Sequence, residues 1–407
     1  MDTAVLKDQY EDLPYPERDP QDEKKRLITG SPGDLDEIIH YIFAGHWPRG
    51  KPLRILIAGG GTGDGLIMLA QQADDAGIDA RITYVDLSST SRRIAEERAR
   101  IRGLTSITFL TGSFLDLKEI EGPFDYIDSC GVLHHLPDPA AALGILRKKL
   151  APGGGMGLMV YGAYGRTGLY SLQKTLRTLT AGLSRQDSVA LARRVVESLP
   201  ATNWFRRNPF LGDHLRSDAG LYDLLLHSRD RAFTVPEFLD LVRSAGLAVS
   251  SFIEPARYDP ATWVRDLNLQ ALSPEERAAV AETLSGNMAK HIAYLVPQER
   301  AGTAAATLDN PDLAPVPKRI NPAQVAAGLK PGAGLTVELG GNKTTLPLPP
   351  LAAAILGRID GKRSWNDIHS QMEKEGIRVA MDAFWSQARE LYEKLNGVNM
   401  LLLRKAS

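Results

Sequence analysis

Apolar runs alternate with amphipathic stretches along most of this chain. Leu35 to Phe43 places Ile38, Ile39 and Ile42 on one side of a short helix. The run Arg54–Ala58 is apolar, a glycine cluster follows, and apolar residues then return at helical spacing from Leu66 to Ala70. This pattern predicts a buried strand, a tight loop and a helix starting near Asp64. Ala80–Asp86, Ile107–Leu110, Phe124–Ser129 and Met156–Tyr161 read as four more strands. Helices are predicted over Ser91–Ile101 and Ala140–Leu150, and a sharp turn over Ala151–Gly155. A βα repeat this regular predicts an α/β fold, a Rossmann-like parallel sheet covered on both faces.

Beyond Tyr161 the repeat is interrupted. Residues 162–232 read as a helical insertion, with helical spacing over Leu169–Leu179, Asp187–Leu199 and His214–His227. A helix at Thr234–Arg243 and a strand at Ala245–Glu254 resume the pattern. Pro260–Ala289 reads as helical, with a cap at Ser273, and His291–Val296 as a seventh strand. The alternative is a separate helical connection over 256–296. Residues 299–322 lack a persistent period and read as a linker. Residues 323–407 form a second unit: a hairpin of Leu335–Leu339 and Thr344–Leu348, three helices, and a terminal strand at Asn399–Leu403. That order predicts a small α+β, winged-helix-like domain. The expected division is thus an arm and helix over 1–50, a main domain over 51–298, the linker, and the C-terminal domain.

Composition narrows the class. The chain has 407 residues, 43% of them hydrophobic, and its 48 basic and 49 acidic side chains nearly cancel. It reads as globular with more than one core, and no global positive charge points to nucleic acid. The single cysteine, Cys130, excludes an intrachain disulfide framework and a multi-cysteine metal site. No apolar stretch reaches membrane-spanning length, and residues 1–21 do not resemble a signal peptide, so a cytoplasmic protein is expected.

Candidate chemistry begins at Gly59-Gly-Gly-Thr-Gly-Asp-Gly65. Glycines let the backbone turn sharply and let a ligand approach the peptide plane. A dinucleotide site is one reading, but the spacing fits imperfectly and no Lys-Ser/Thr follows for a P-loop. Asp64 at the helix start suits a cationic or zwitterionic ligand better than a phosphate. Asp86, at the end of the second strand, can accept hydrogen bonds from both hydroxyls of a ribose. Asp116 can accept from an adenine amino group and Phe114 can contact the ring; a plain surface acid is the alternative for Asp116. Cys130-Gly-Val-Leu-His-His-Leu-Pro137 follows the fourth strand, at the edge where open α/β sheets bind ligands.

From Ile55 to Tyr161, and more loosely to Val296, the chain resembles the class I S-adenosylmethionine-dependent methyltransferases. Ala58-Gly-Gly-Gly-Thr-Gly-Asp-Gly65 resembles the first motif of that family, Asp86 its ribose-binding acid, and Ser113–Asp116 its adenine-lining segment. Val132-Leu-His-His-Leu-Pro137 and Leu150-Ala-Pro-Gly-Gly154 resemble later signatures. The resemblance implies a seven-stranded sheet, S-adenosylmethionine as cofactor, and a cofactor site of Gly59, Gly60, Gly61, Gly63, Asp64, Asp86, Leu87, Ser113, Phe114, Asp116 and Cys130. It also implies that the loop holds the methionine part, whose ammonium tolerates Asp64.

The acceptor is expected at the arm and the insertion. Gln9-Tyr-Glu-x-x-Pro-Tyr-Pro16 resembles a segment that precedes some bacterial methyltransferase domains, and Tyr10 and Tyr15 are read as a lid; a surface-packed arm is the alternative. Tyr161, Tyr164 and Arg166 leave the fifth strand toward the acceptor, and Asp223, His227, Arg229 and Asp230 lie where the insertion returns. His134 is weighed as the general base, since a histidine titrates near neutrality, with Tyr161 as a second candidate. Without a third clustered ligand no metal is expected. Absence of Asn-Pro-Pro-Tyr after the fourth strand weighs against the nucleic-acid and glutamine methyltransferases it marks. A small or medium-sized metabolite is the favoured acceptor, a protein or peptide the runner-up. A non-catalytic cofactor-binding scaffold and a nicotinamide-dependent oxidoreductase are the remaining readings. No membrane partner is expected, nucleic acid is disfavoured, and a homo-oligomer stays open.

Overall fold

The computed structural model describes residues 3–48, 50–116, 118–330, 332 and 334–406. Strands β1 (Leu53–Ala58), β2 (Ala80–Asp86), β3 (Ile107–Thr111), β4 (Phe124–Cys130), β5 (Leu150–Tyr161), β6 (Leu247–Phe252) and β7 (Lys290–Pro297) form one sheet of order β3-β2-β1-β4-β5-β7-β6. The β1–β2, β1–β4, β2–β3 and β4–β5 pairs are parallel. Ile55, Leu56, Tyr84, Val85, Tyr126 and Ile127 are all fully buried, as strands covered on both faces require. Right-handed crossovers then bring the C-terminal ends of β1, β2 and β4 to one edge, which fixes where a site can form.

By contacts the chain divides into two units. One comprises residues 1–34, 50–247 and 286–292, the other 35–49, 248–285 and 293–407. In the first, the insertion has its own apolar core of Leu169, Leu172, Leu176, Val189, Phe205 and Leu224. In the second, helices Trp365–Lys374 and Met381–Gly397 pack around Trp365, Ile368, Phe384 and Leu391. Its polar centre is buried Glu37, which accepts from Tyr294 Oη at 2.8 Å and Asn399 Nδ2 at 2.6 Å and pairs with Lys318. No helix among the described residues is long and apolar enough to cross a membrane.

Several local expectations change. The arm begins as a helix, Thr3–Asp12, so Gln9 and Tyr10 lie on a helix that ends before Pro14 and Pro16. The turn expected over Ala151–Gly155 is absorbed into β5, whose register against β4 slips between Phe124 and Tyr126 to take up the extra Pro-Gly residues. The single helix expected over His214–His227 is broken into the turns Asp213–Leu215 and Asp218–Leu221 and a π-helical turn, Tyr222–Leu226. Within 299–322, expected to be linker, lies strand β8 (Leu313–Pro317). The hairpin of β9 (Leu335–Leu339) and β10 (Asn342–Leu346) turns on Gly340 and Gly341 alone, both at positive φ. Strand β11 (Leu401–Lys405) closes the chain by pairing antiparallel with β8.

Candidate active site

A cavity of about 880 Å³ opens at the C-terminal ends of β1, β2, β4 and β5, entirely within the first unit. Its floor is the glycine loop. Asp86 Oδ2 accepts from the Gly61 amide at 2.8 Å and Asp86 Oδ1 from the Ser88 amide at 2.9 Å. Burial raises the pKa of this carboxyl, and those two amides oppose the shift. Two of its lone-pair sites are used, and a carboxylate has about four, so acceptor capacity remains toward the cavity. Gly61 sits at φ +52°, and a Cβ there would lie 2.9 Å from the Tyr15 carbonyl oxygen. Leu87, Ser113, Phe114, Asp116 and Cys130 line the same cavity. Gly63 does not; it faces Ala95 across the helix pair instead.

The arm forms the roof. Tyr15, Pro16 and Arg18 line the cavity, and Thr62 Oγ1 donates to the Pro16 carbonyl at 2.7 Å. Arg18 grips Asp64 with Nε and Nη2, at 2.9 and 2.6 Å, and Arg98 Nη1 adds a third contact at 2.8 Å. Against the cost of burial, Arg18 and then Arg98 hold the Asp64 carboxyl below its usual range. Asp64 thus lines the cavity, but its charge is matched by two guanidiniums and it pins the arm. Earlier along the arm, Glu11 caps the helix Ser89–Arg102, accepting from the Ser89 and Thr90 amides at 2.8 and 3.0 Å.

The far end of the cavity is polar and aromatic. Tyr10 Oη donates to Asp223 Oδ1 at 3.1 Å and Tyr161 Oη to Asp223 Oδ2 at 3.3 Å. Burial first, then the Asp223 charge, pushes both phenols well above their usual pKa, so both remain protonated donors. Asp223 belongs to the π-helical turn, which aims it across the insertion at the arm, and it lines the cavity with Tyr10 and Tyr161.

The histidines are arranged differently from the sequence expectation. His135 lines the cavity, and His134 does not. His134 is fully buried, stacked on Tyr161 at 3.8 Å, and neither of its ring nitrogens has a hydrogen-bond partner among the described residues. Burial, then the neighbouring His135, holds its pKa well below normal. The 3-10 turn Leu133–His135 rotates adjacent residues apart, and only the second reaches the wall. His227 stands behind the wall, its ring stacked on His135 at 3.9 Å. Tyr164 is largely outside, and Arg166 is buried behind Tyr161, pairing with Asp230 at 3.0 Å and covering the Tyr161 ring at 3.6 Å.

The backbone of one residue, Arg229, sets the tautomers of two rings. His135 Nδ1 donates to the Arg229 carbonyl at 2.8 Å, which leaves Nε2 as its bare nitrogen. The Arg229 amide donates to His227 Nδ1 at 3.0 Å, which puts the His227 proton on Nε2, facing Tyr10 Oη at 3.3 Å. The ligand-capable atoms of His135, Asp223 and His227 lie within 4.8 Å of one another, a cluster the sequence concealed. In these tautomers it offers a metal one carboxylate and one free nitrogen; the third position presents an N–H.

A family model described as a methyltransferase domain matches residues 56–156. An uncharacterized protein of Synechococcus sp. is 31% identical over 300 residues, covering 69% of each chain. The chain belongs to the class I S-adenosylmethionine-dependent methyltransferases. Demethylmenaquinone methyltransferase of Thermus thermophilus is 28% identical over 204 residues, 49% of this chain and 76% of that one. Among solved structures, PKMT2 from Rickettsia typhi shares the fold at 16% identity and a TM-score of 0.62, covering 93% of this chain and 78% of that one.

The site of this methyltransferase fits its cofactor. Asp86 retains acceptor capacity beside the loop, Gly61 leaves a path over the peptide plane, and Phe114 and Asp116 line the same cavity, an aromatic ring and an acceptor of the chemistry an adenine calls for. Asp128, Asp213, Arg216 and Lys290 also line the cavity and were not singled out from sequence. No periodicity marks them. Asp128 sits within a fully buried strand, and Lys290 comes from a strand far along the chain.

Proposed function

We propose that this methyltransferase acts on a small or medium-sized metabolite. The observation that carries the reading is the deep cavity, with the glycine loop and Asp86 as floor and residues of the arm and insertion along its other walls. Its volume of about 880 Å³ falls within the range of small-molecule sites, about 300–1,000 Å³, and suits a cofactor with a modest acceptor.

In this reading Asp86 holds the ribose, Phe114 and Asp116 the adenine, and Gly59–Gly61 the methionine side. The cofactor supplies a sulfonium methyl group for in-line transfer. The chain's own residues orient the acceptor and exclude water. His135 takes the role first considered for His134: it lines the cavity, and its Nδ1–H is fixed by the Arg229 carbonyl, which leaves Nε2 unprotonated to act as a general base. Asp223, held by the hydroxyls of Tyr10 and Tyr161, orients the acceptor beside it.

A protein or peptide acceptor is the second reading. Trp204, Phe210 and Leu215 of the insertion are 65%, 40% and 76% exposed, more apolar surface than a closed metabolite site needs. Transfer of a radiolabelled methyl group to separated metabolite and protein fractions tests both. Label in the small-molecule fraction supports the proposal; label confined to protein replaces it with the second reading.

A further inference from the structure

Once Asp64 is neutralised by two arginines, the methionine end of the cofactor needs another counter-charge. The cofactor's α-ammonium is a full positive charge entering a largely buried site, and burying it unpaired is costly. The floor beneath the glycine loop offers one candidate. Ile57, next to last in β1, lines the cavity and is paired in register with Asp128 of the adjacent β4, which lines it too. One is apolar and the other acidic.

Three observations set Asp128 apart from a structural acid. It is only 4% exposed yet lines the cavity. Glycines adjoin it: a Cβ on Gly33, which sits at φ +101°, would lie 3.2 Å from Asp128 Oδ2, and Gly65 presents no side chain on the Oδ1 side. No guanidinium or ammonium forms an ion pair with it among the described residues, in contrast to Asp64. Tyr126 Oη donates to Oδ2 at 3.0 Å, which orients the carboxylate and leaves acceptor sites on it. Burial pushes its pKa up to about 6, against the Tyr126 hydroxyl and the Cys130 amide, so it is ionised at neutral pH and gains from a cationic neighbour.

We propose that Asp128 is the positioning residue that anchors the α-ammonium of the cofactor, through a charge-assisted hydrogen bond at the junction of Gly33, Gly65 and the end of β4. This rests on the cavity being the S-adenosylmethionine site. It assigns Asp64 to the arm and gives the methionine end its counter-charge from β4. Gly30, Ser31 and Pro32, which precede Gly33, also line the cavity.

The test uses the full chain, calorimetry, and two ligands: S-adenosylhomocysteine and its analogue lacking the α-amino group. Wild type is expected to prefer S-adenosylhomocysteine by about tenfold to a hundredfold. Asp128→Asn is expected to lose that preference, binding S-adenosylhomocysteine as weakly as the analogue while its affinity for the analogue stays unchanged. Equal loss of both ligands would make Asp128 a structural residue and overturn the proposal, as would undiminished discrimination. Failure of wild type to bind either ligand would instead overturn the site assignment itself. A measurement on wild type alone guards against a variant that misfolds. Between pH 8 and 5 the preference for the amino-bearing ligand should fall as Asp128 protonates, with its drop centred near or below pH 6. A preference constant across that range would refute the anchor.

Discussion

Asp86 does two things at once, and that decides how it should be tested. Its carboxylate holds the loop through the Gly61 and Ser88 amides and keeps acceptor sites for a ribose. Asp86→Asn keeps the size but gives up charge and half the acceptor capacity. We expect a loss of about 2 kcal/mol, about thirtyfold in the Kd for S-adenosylhomocysteine, read by calorimetry. A second residue-scale expectation concerns the two histidines. His135→Gln should lower the rate of methyl transfer by about a hundredfold or more and leave cofactor affinity close to wild type. Undiminished turnover would remove His135 as the base. The sequence pointed to the histidine pair, but the choice between neighbours depends on a 3-10 turn and on a carbonyl 94 residues away. No local pattern carries that information.

At the scale of elements, the arm is held by two anchors that can be loosened separately. Glu11 is the more exposed. Burial opposes its ionisation, but the Ser89 and Thr90 amides and then their hydroxyls outweigh that and bring its pKa from 4.5 to about 2. Its folded pKa is depressed, so its contribution is complete above about pH 4.5 and is lost as pH falls toward 2. With solvent screening it is worth about 1 kcal/mol at most. Glu11→Gln should therefore speed amide hydrogen exchange in residues 6–16 at neutral pH, and unchanged exchange would show that the cap does not hold the arm. The second anchor is buried. Arg98 is 1% exposed and joins Glu23, the Thr62 carbonyl and Asp64. Arg98→Met would leave buried Glu23 with Arg102 as its remaining cation and weaken the grip on Asp64, at a cost of about 2–3 kcal/mol, measured as a lower denaturant midpoint. These elements were legible in unequal degree. The glycine loop, Asp86 and the segment Ser113–Asp116 declare themselves because each lies at the end of a periodic strand. The roles of Arg18 and Arg98 do not, because their shared partner is 46 and 34 residues away and both read as ordinary surface charge. Strand β8 was lost for a related reason: its Leu-Ala-Pro-Val-Pro run becomes a strand only against β11, at the far end of the chain.

At the scale of the molecule, the second unit has its own acid sensitivity. His40 lies on helix Leu35–Ile42 and is buried. Its Nδ1 accepts from the Leu403 amide at 2.9 Å, and its Nε2 faces the Tyr392 hydroxyl at 3.3 Å. The ring thereby ties a helix from the start of the chain to its last strand. Burial brings its pKa from 6.5 to about 4, because a protonated ring would lose its hydration there, and the Leu403 carbonyl, 3.2 Å from Nδ1, opposes the shift only in part. The sign follows from the folded value being the lower one: the unfolded chain binds the proton first. The contribution is complete above about pH 6.5 and is lost as pH falls through 4, amounting to about 3 kcal/mol over the whole interval. Urea unfolding of wild type at pH 7 and pH 4.5 should show this loss within the transition of the second unit. His40→Asn keeps an acceptor and a donor but cannot titrate, so that variant should start less stable at pH 7 and lose less on acidification. If wild type and variant fell by the same amount between the two pH values, the titration would have to be carried by other groups, and His40 would be left as a packing residue.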